Sequence, residues 1–206
     1  MANFLDKKNK DITGHLRIEK VYKDPSTSAV THTEVVLDDH NVITSGCAFT
    51  LAALFSTQGS PHLEDYRLAH FQVGTSVVAA ATSATYQLNS ELSSVAQWGA
   101  NTTLEVVRVN AYNPTAEYGS GANLQYFAVI PTSNLTKVGD HSVRATIVLD
   151  EETGNTTPTA LCEIGLFAKN PLGESDDRSV MVAYRQFDAV KKTSNFSLVF
   201  RWTLNF

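Results

Sequence analysis

The chain has 206 residues, of which 43% are hydrophobic and 18% charged, and its formal net charge at pH 7 is −5. This composition excludes general disorder and fits a single folded domain. The acidic balance argues against a nucleic-acid binder, which normally needs a basic face, so we expect no nucleic-acid partner.

The first residues indicate the cellular compartment in which the chain is expected to be made. Residues 1–11 are polar and charged, without the apolar segment of a signal peptide, and no apolar run reaches the length of a membrane span. We therefore expect synthesis in a cytoplasm and no membrane partner. The two cysteines, Cys47 and Cys162, lie among apolar residues, which favours two buried thiols, although a contact between them stays open.

Residues 1–13 are predicted to form an N-terminal arm, and residues 14–206 a single β-rich domain. The domain begins with two segments of alternating polar and apolar residues, at 16–22 and 33–37. Turn-forming residues at 24–26 separate them, which predicts a hairpin with a long loop, and a second turn is predicted at 38–41.

The next segment, residues 41–56, contains the one convincing helix. Thr44 or Ser45 is its predicted N-cap. Helical spacing brings four apolar residues into one stripe, which predicts that this side of the helix packs on a sheet. The stripe consists of Cys47, Leu51, Leu54 and Phe55.

The remaining chain is predicted to be mostly strands. A loop is expected at 75–85 and one helical turn at 86–92. Strands are expected at 68–74, 102–112, 124–130, 143–149, 160–168 and 180–187. The last segment, 195–206, has a large apolar residue at every second position, typical of a strand with one buried face. These are Phe196, Leu198, Phe200, Trp202, Leu204 and Phe206.

About nine strands and one main helix predict a mainly β fold. We expect an antiparallel β-sandwich, jelly-roll-like, with one main α-helix packed on the sheet.

The histidines and carboxylates form no recognisable site. The histidines are scattered, without the close pairs of a metal motif: His15, His32, His40, His62, His70 and His141. The carboxylates sit in predicted turns: Asp38, Asp39, Glu64, Asp65, Asp150, Glu151, Glu152, Asp176 and Asp177. Residues 150–155 are interpreted as a solvated hairpin turn with Gly154 and Asn155 at its tip. We expect no metal and no cofactor.

Motifs for covalent catalysis or phosphate binding are not found either. The chain has no G-x-S-x-G, and the glycine pair at Gly119 and Gly121 indicates a lone turn. We assign no catalytic residues and expect no enzyme, leaving a hydrolase with a dispersed site as an alternative. Aromatic residues on strands leave a carbohydrate-binding face as a further alternative. The candidates are Tyr112, Tyr118, Tyr126, Phe127, Tyr184, Phe187 and Trp202.

Four stretches in fixed order resemble a known class of protein. They are residues 41–55, residues 71–76 followed by a Leu–x–x–Glu turn at 88–91, residues 143–150 followed by C-E-I-G-L-F-A at 162–168, and residues 184–192 before the terminal strand. This order is similar to small structural proteins of tailed bacteriophages, of the tail, baseplate, fibre-base, neck or collar kind.

The resemblance implies a virion component with no catalytic residues. Its partners would be copies of itself, as a trimer or hexamer, and other virion structural proteins, and its location would be the virion, after synthesis in the host bacterial cytoplasm. A receptor-binding module or a capsid decoration protein of the same particle stays open. On the strand at 160–168, Glu163 is expected either to pair with Arg185 or Lys191 or to face solvent.

Overall fold

The computed structural model describes residues 12–56, 60–75, 105–110, 124–155, 160–171 and 179–206. Within these ranges the chain forms strands β1 (Thr13–Lys23), β2 (Val30–His40), β3 (Val42–Ile43), β4 (Leu68–Gly74), β5 (Val106–Asn110), β6 (Leu124–Val129), β7 (Leu135–Lys137), β8 (Ser142–Leu149), β9 (Leu161–Ala168), β10 (Val180–Val190) and β11 (Ser197–Asn205). Helix α1 is Ser45–Phe55, and short 3-10 turns cover Leu63–Tyr66 and Thr132–Asn134.

The strands form two antiparallel sheets packed face to face. The first sheet has the order β2-β1-β11-β8-β7, and the second has the order β3-β10-β9-β4-β6-β5. Strands β1 and β2 pair directly, as the predicted hairpin requires. The predicted fold class, a mainly β sandwich with one α-helix, is confirmed.

Strand β11 lies in the middle of the first sheet and supplies much of the core. It pairs with β1 on one side, where Leu16 faces Trp202, and with β8 on the other, where Ala145 faces Trp202. Five of its six alternating apolar residues are buried, as predicted. The sixth, Phe206, lies one residue beyond the strand and is 47% exposed.

Several predicted boundaries are wrong. Thr13, assigned to the arm, is the first residue of β1, and the predicted turn at 38–41 is strand as far as His40. The short strands β3 and β7 were not predicted, because two or three residues carry no detectable alternation. The loop and helical turn expected over residues 76–92 lie outside the described residues.

Residues 150–155 do not form the predicted hairpin turn. They follow β8 in one sheet and lead towards β9 in the other, so this connection crosses between the sheets. Thr153 is completely buried, and Gly154 has a positive φ of 65°. Prediction from sequence failed because strands adjacent in the chain usually pair, and here they do not.

A buried lysine joins this crossover to the one before β11. The Lys192 ammonium donates hydrogen bonds to Asn155 Oδ1 at 3.0 Å and to the Thr193 carbonyl at 2.9 Å. It also lies 5.4 Å from the centre of the Phe196 ring. Burial lowers the pKa of Lys192 to about 8, although the carboxylates at residues 150–152 oppose this shift.

Three of the four described edge strands, β2, β3 and β7, offer little room for adding another strand, whereas β5 is a regular edge strand of 5 residues. Strand β2 is long, but its pairing with β1 skips Val36 and Thr31, so its register shifts twice. Shifts of this kind on an edge strand, together with charged side chains, discourage edge-to-edge pairing. The opposite edge strand β7 has 3 residues, and β3 has 2.

Replacing Trp202 tests the central place of β11. Trp202 is completely buried, and its indole N–H has no hydrogen-bond acceptor among the described residues. Trp202→Ala should lower the free energy of unfolding by about 3–5 kcal/mol. Trp202→Phe, which keeps a ring and removes the unpaired N–H, should cost clearly less. Urea unfolding measures both; a loss below about 1 kcal/mol for Trp202→Ala would show that this face is not core.

Candidate functional site

Among the histidines named from the sequence, His15 and His40 lie together, and the others lie in separate surroundings. His15 pairs with Asp38 at 3.1 Å and meets the His40 ring edge-on at 5.9 Å between centroids. His32 packs against Tyr22. His62 and His141 are exposed. In the part of the chain that the structure describes, no three His, Cys, Asp or Glu side chains form a metal-binding group.

The described carboxylates are engaged in ion pairs and turns. Asp38 accepts a hydrogen bond from Arg17 at 2.8 Å, and Asp39 accepts one from Arg185 at 2.6 Å. Glu151 lies 3.2 Å from the ammonium of Lys23. The side chains of Asp176 and Asp177 lie outside the described residues, as does the glycine pair at 119–121.

Glu163 does not face solvent and is not paired with Arg185, so these two expectations are wrong, while pairing with Lys191 stays a prediction. It is completely buried on β9 and accepts a hydrogen bond from the Tyr184 hydroxyl at 2.8 Å. The guanidinium of Arg185 instead reaches Asp39. Side chains alternate between the two faces of a strand, so Tyr184 and Arg185 point to opposite faces of β10. Of these two, only Tyr184 is therefore on the face of Glu163.

A buried histidine and serine lie within hydrogen-bond distance. His70 Nδ1 is 2.7 Å from Ser179 Oγ, and that hydroxyl donates to the Lys169 carbonyl at 3.1 Å. A hydroxyl has one proton, so Oγ accepts a hydrogen bond from Nδ1–H. Ser179 is completely buried and its proton is already directed at a carbonyl, so the pair links β4 to the start of β10. Burial, with the charges of Arg67 and Lys169, lowers the pKa of His70 to about 4.

The aromatic and cysteine candidates are mostly packed inside. Phe127, Tyr184, Phe187 and Trp202 are all buried. The side chains of the other three, at positions 112, 118 and 126, are outside the described set. Both cysteines are free and buried, and burial raises the pKa of each thiol.

The feature that stands apart is an apolar cleft beside helix α1. Its volume is about 250 Å³. One wall comes from α1, another from the segment leading into β4, and the rest from both sheets and the residue after β11. The lining residues are Cys47, Thr50, Leu51, Tyr66, Arg67, Leu68, Leu135, Val143, Val182, Leu204 and Phe206.

The beginning of α1 is fixed against β10. A Cβ on Gly46 would lie 2.1 Å from the Met181 carbonyl oxygen, so the helix and the strand touch through backbone. Thr44 is the N-cap residue, as predicted, but its hydroxyl donates to the Met181 carbonyl and not to the helix. The backbone N–H of Thr44 donates to the Val182 carbonyl at 3.1 Å. The N-terminus of α1 is therefore held in one place beside the cleft.

The wall opposite α1 is held by polar contacts. The Tyr66 hydroxyl donates to the Ser60 carbonyl at 2.9 Å. Lys169 lies 3.0 Å from Asp65, and burial of that carboxylate is outweighed by the bonds from Ser60 and Lys169, which lower its pKa. The Arg67 side chain lines the cleft, and its buried Nε has no hydrogen-bond partner among the described residues. These polar contacts thus hold the wall in place, and the Arg67 cation borders its apolar surface.

The apolar stripe predicted for α1 is only partly correct. The buried residues of the helix are Gly46, Cys47, Thr50 and Ala53. Leu51 is half-buried in the cleft wall, whereas Phe55 is 86% exposed. The small residues on the buried side let α1 approach β10 closely. The larger side chains of the helix therefore lie beside the contact between α1 and β10, not within it.

Exposed apolar groups flank this cleft. Phe55 ends α1, and Leu63, in the 3-10 turn that contacts α1, is 79% exposed. Phe206, at 47% exposure, lines the cleft itself. Sequence reasoning found Cys47 and Leu51 as members of a helical stripe. It missed Tyr66, Arg67 and the strand residues, since only folding brings these distant segments together.

No protein-family model, curated protein or solved structure matches this chain. Across the described residues, no helix has the length and apolar character needed to cross a membrane.

Gly46→Ala tests whether backbone contact fixes α1 beside the cleft. The added methyl group would overlap the Met181 carbonyl, and we expect a loss of about 1–3 kcal/mol of stability despite the higher helix propensity of alanine. Gly139→Ala is the matched control, because a Cβ there meets no atom within 4 Å. Equal unfolding free energies for the two variants would contradict the close contact.

The buried histidine predicts a pH dependence of stability. The folded-state pKa of His70 is about 4 against an ordinary 6.5, so between these values the unfolded chain binds more protons, and stability falls as pH falls. From pH 6.5 to about pH 5 this group should cost about 1.5 kcal/mol.

The His70→Asn variant can keep a contact to Ser179 but cannot titrate. Its stability should therefore fall less over this range, as measured by urea unfolding at each pH. The same decrease in both proteins would contradict the assignment.

Proposed function

We propose that this chain is a non-enzymatic structural component of a tailed-phage virion, an oligomeric assembly or adaptor module of the tail, baseplate or neck. The observation that carries the assembly role is the apolar cleft flanked by Phe55, Leu63 and Phe206. Large apolar groups collected around a concave apolar surface are typical of a protein contact, because water covers such a surface at a free-energy cost.

Three of the four described edge strands support contact through this surface. Strands β3 and β7 are short and β2 is shifted in register, which disfavours strand addition at these edges, whereas β5 has 5 residues in regular register. At these edges, a partner is therefore expected to bind by packing side chains into the cleft and not by main-chain pairing.

The virion assignment rests on the resemblance of four ordered stretches to tailed-phage structural proteins. One of them, residues 41–55, includes helix α1, which forms a wall of the cleft. Another, residues 162–168, lies within β9, the strand between β10 and β4. From this resemblance we expect partners of two kinds, further copies of the chain in a trimer or hexamer, and other virion proteins.

The alternatives are a receptor- or carbohydrate-binding module and a capsid decoration protein of the same particle. A carbohydrate platform needs exposed aromatic rings, and four of the seven candidate rings are buried. The geometry of the described residues therefore favours the assembly role over sugar binding.

The test uses particles of a phage that encodes this chain. Mass spectrometry of density-banded particles should detect the chain in a copy number that is a multiple of three. Immunogold electron microscopy, with antibodies raised against the purified protein, should label the tail, baseplate or neck.

Antibodies first absorbed with the purified protein are the control for this labelling. Detection of the chain in the lysate but not in banded particles would overturn the proposal. Label spread over the capsid would select the decoration alternative.

A further inference from the structure

Two apolar side chains at and beside the end of helix α1 are exposed to solvent. Phe55 is 86% exposed, and Leu63 on the adjoining 3-10 turn is 79% exposed. Burying one such side chain is worth about 1.5–3 kcal/mol, so leaving two of them in water forgoes stability that a contact would recover.

The cleft beside them is large enough for an aromatic ring. Its volume is about 250 Å³, whereas an engineered apolar cavity of about 150 Å³ already binds benzene. A phenylalanine side chain ends in the same ring. The apolar lining from Leu51, Leu68, Val182 and Leu204 suits a ring and offers little to a polar ligand.

The projecting group and the cleft lie on the same side of the molecule. Leu51 lines the cleft, and Phe55 follows it by four residues on the same helix, which is about one turn. A surface that carries a projection and a matching recess side by side is self-complementary under a twofold rotation, because each copy then supplies both halves of the contact.

We propose that two copies of this chain associate about a twofold axis, with Phe55 of each copy seated in the apolar cleft of the other. The inference rests on the self-association in the proposed function and identifies the surface that produces it. A hexamer of dihedral symmetry contains such a twofold contact, whereas a simple trimer does not. Of the two expected assemblies, the geometry therefore selects the hexamer, and an isolated dimer would contain the same contact.

The charges at the rim are consistent with self-contact. The Glu64 side chain is 71% exposed next to Leu63 and lies 3.9 Å from the Lys169 ammonium, and the Arg67 side chain lines the cleft. The patch thus carries both signs of charge. When two copies meet face to face, Glu64 of one copy can lie opposite Arg67 of the other.

The first test measures mass by light scattering over a concentration series. Phe55→Ser should weaken self-association about 100-fold or more, since a central aromatic is lost twice in a twofold interface. Val30→Ser is the matched control, because Val30 is 60% exposed on strand β2 and should leave the mass unchanged. Phe55 is exposed, so its replacement should leave the thermal unfolding midpoint of the monomer unchanged.

The second test uses the native thiol inside the cleft. In Phe55→Cys, the new thiol of one copy should be linked to Cys47 of the other as a disulfide on oxidation. A bond within one copy is excluded, because eight residues of helix separate the two positions by about 12 Å. Mass spectrometry should find the peptide pair containing residues 47 and 55. Ala52→Cys, exposed on the same helix, should give no link to Cys47.

The outcomes separate this inference from the proposed function. An oligomer that keeps its mass with Phe55→Ser overturns the twofold contact and leaves the virion module intact. A wild-type chain that is monomeric at every concentration overturns the contact and the expected homo-oligomer together. The particle labelling described above decides the virion assignment in either case.

Discussion

The fold depends on the burial of one face of β11 between two sheets. Strand β11 occupies the middle of the first sheet, so β1 and β8 both take their register from it. Its inward residues, from Leu198 to Leu204, then meet the inner face of the second sheet. A one-residue slip would turn these side chains to the opposite face, so a single pairing is strongly favoured.

The cleft follows from how α1 attaches to this sandwich. The helix touches β10 through small residues, with Gly46 directly on the Met181 carbonyl, so its larger side chains cannot lie beneath it. Leu51 therefore borders an open space, and Phe55 projects past it. The same contact that fixes the helix creates both the recess and the projection, which is why we place the docking surface here and not at the sheet edges.

The buried polar groups add hydrogen bonds between elements that also share the apolar core. Lys192 joins two crossovers, His70 and Ser179 join β4 to β10, and Tyr184 bonds Glu163 on the neighbouring strand. Each buried group needs a partner of defined geometry, because an unpaired polar group in a low-dielectric interior is costly. These contacts add specificity to a core that apolar burial alone would leave less defined.

The sequence alone determined the fold class, the place of α1 and most strands, since alternation and helical spacing are local properties that survive in a linear pattern. It also identified the buried face of β11 and the hairpin of β1 and β2. Only the tertiary structure decided that residues 150–155 cross between sheets, that Glu163 is buried, and that Phe55 faces solvent beside a cleft. These three features depend on which distant segments of the chain come into contact. Tyr66, Val143 and Leu204, for example, line one cleft although they are far apart in sequence. A local sequence pattern contains no information about such contacts.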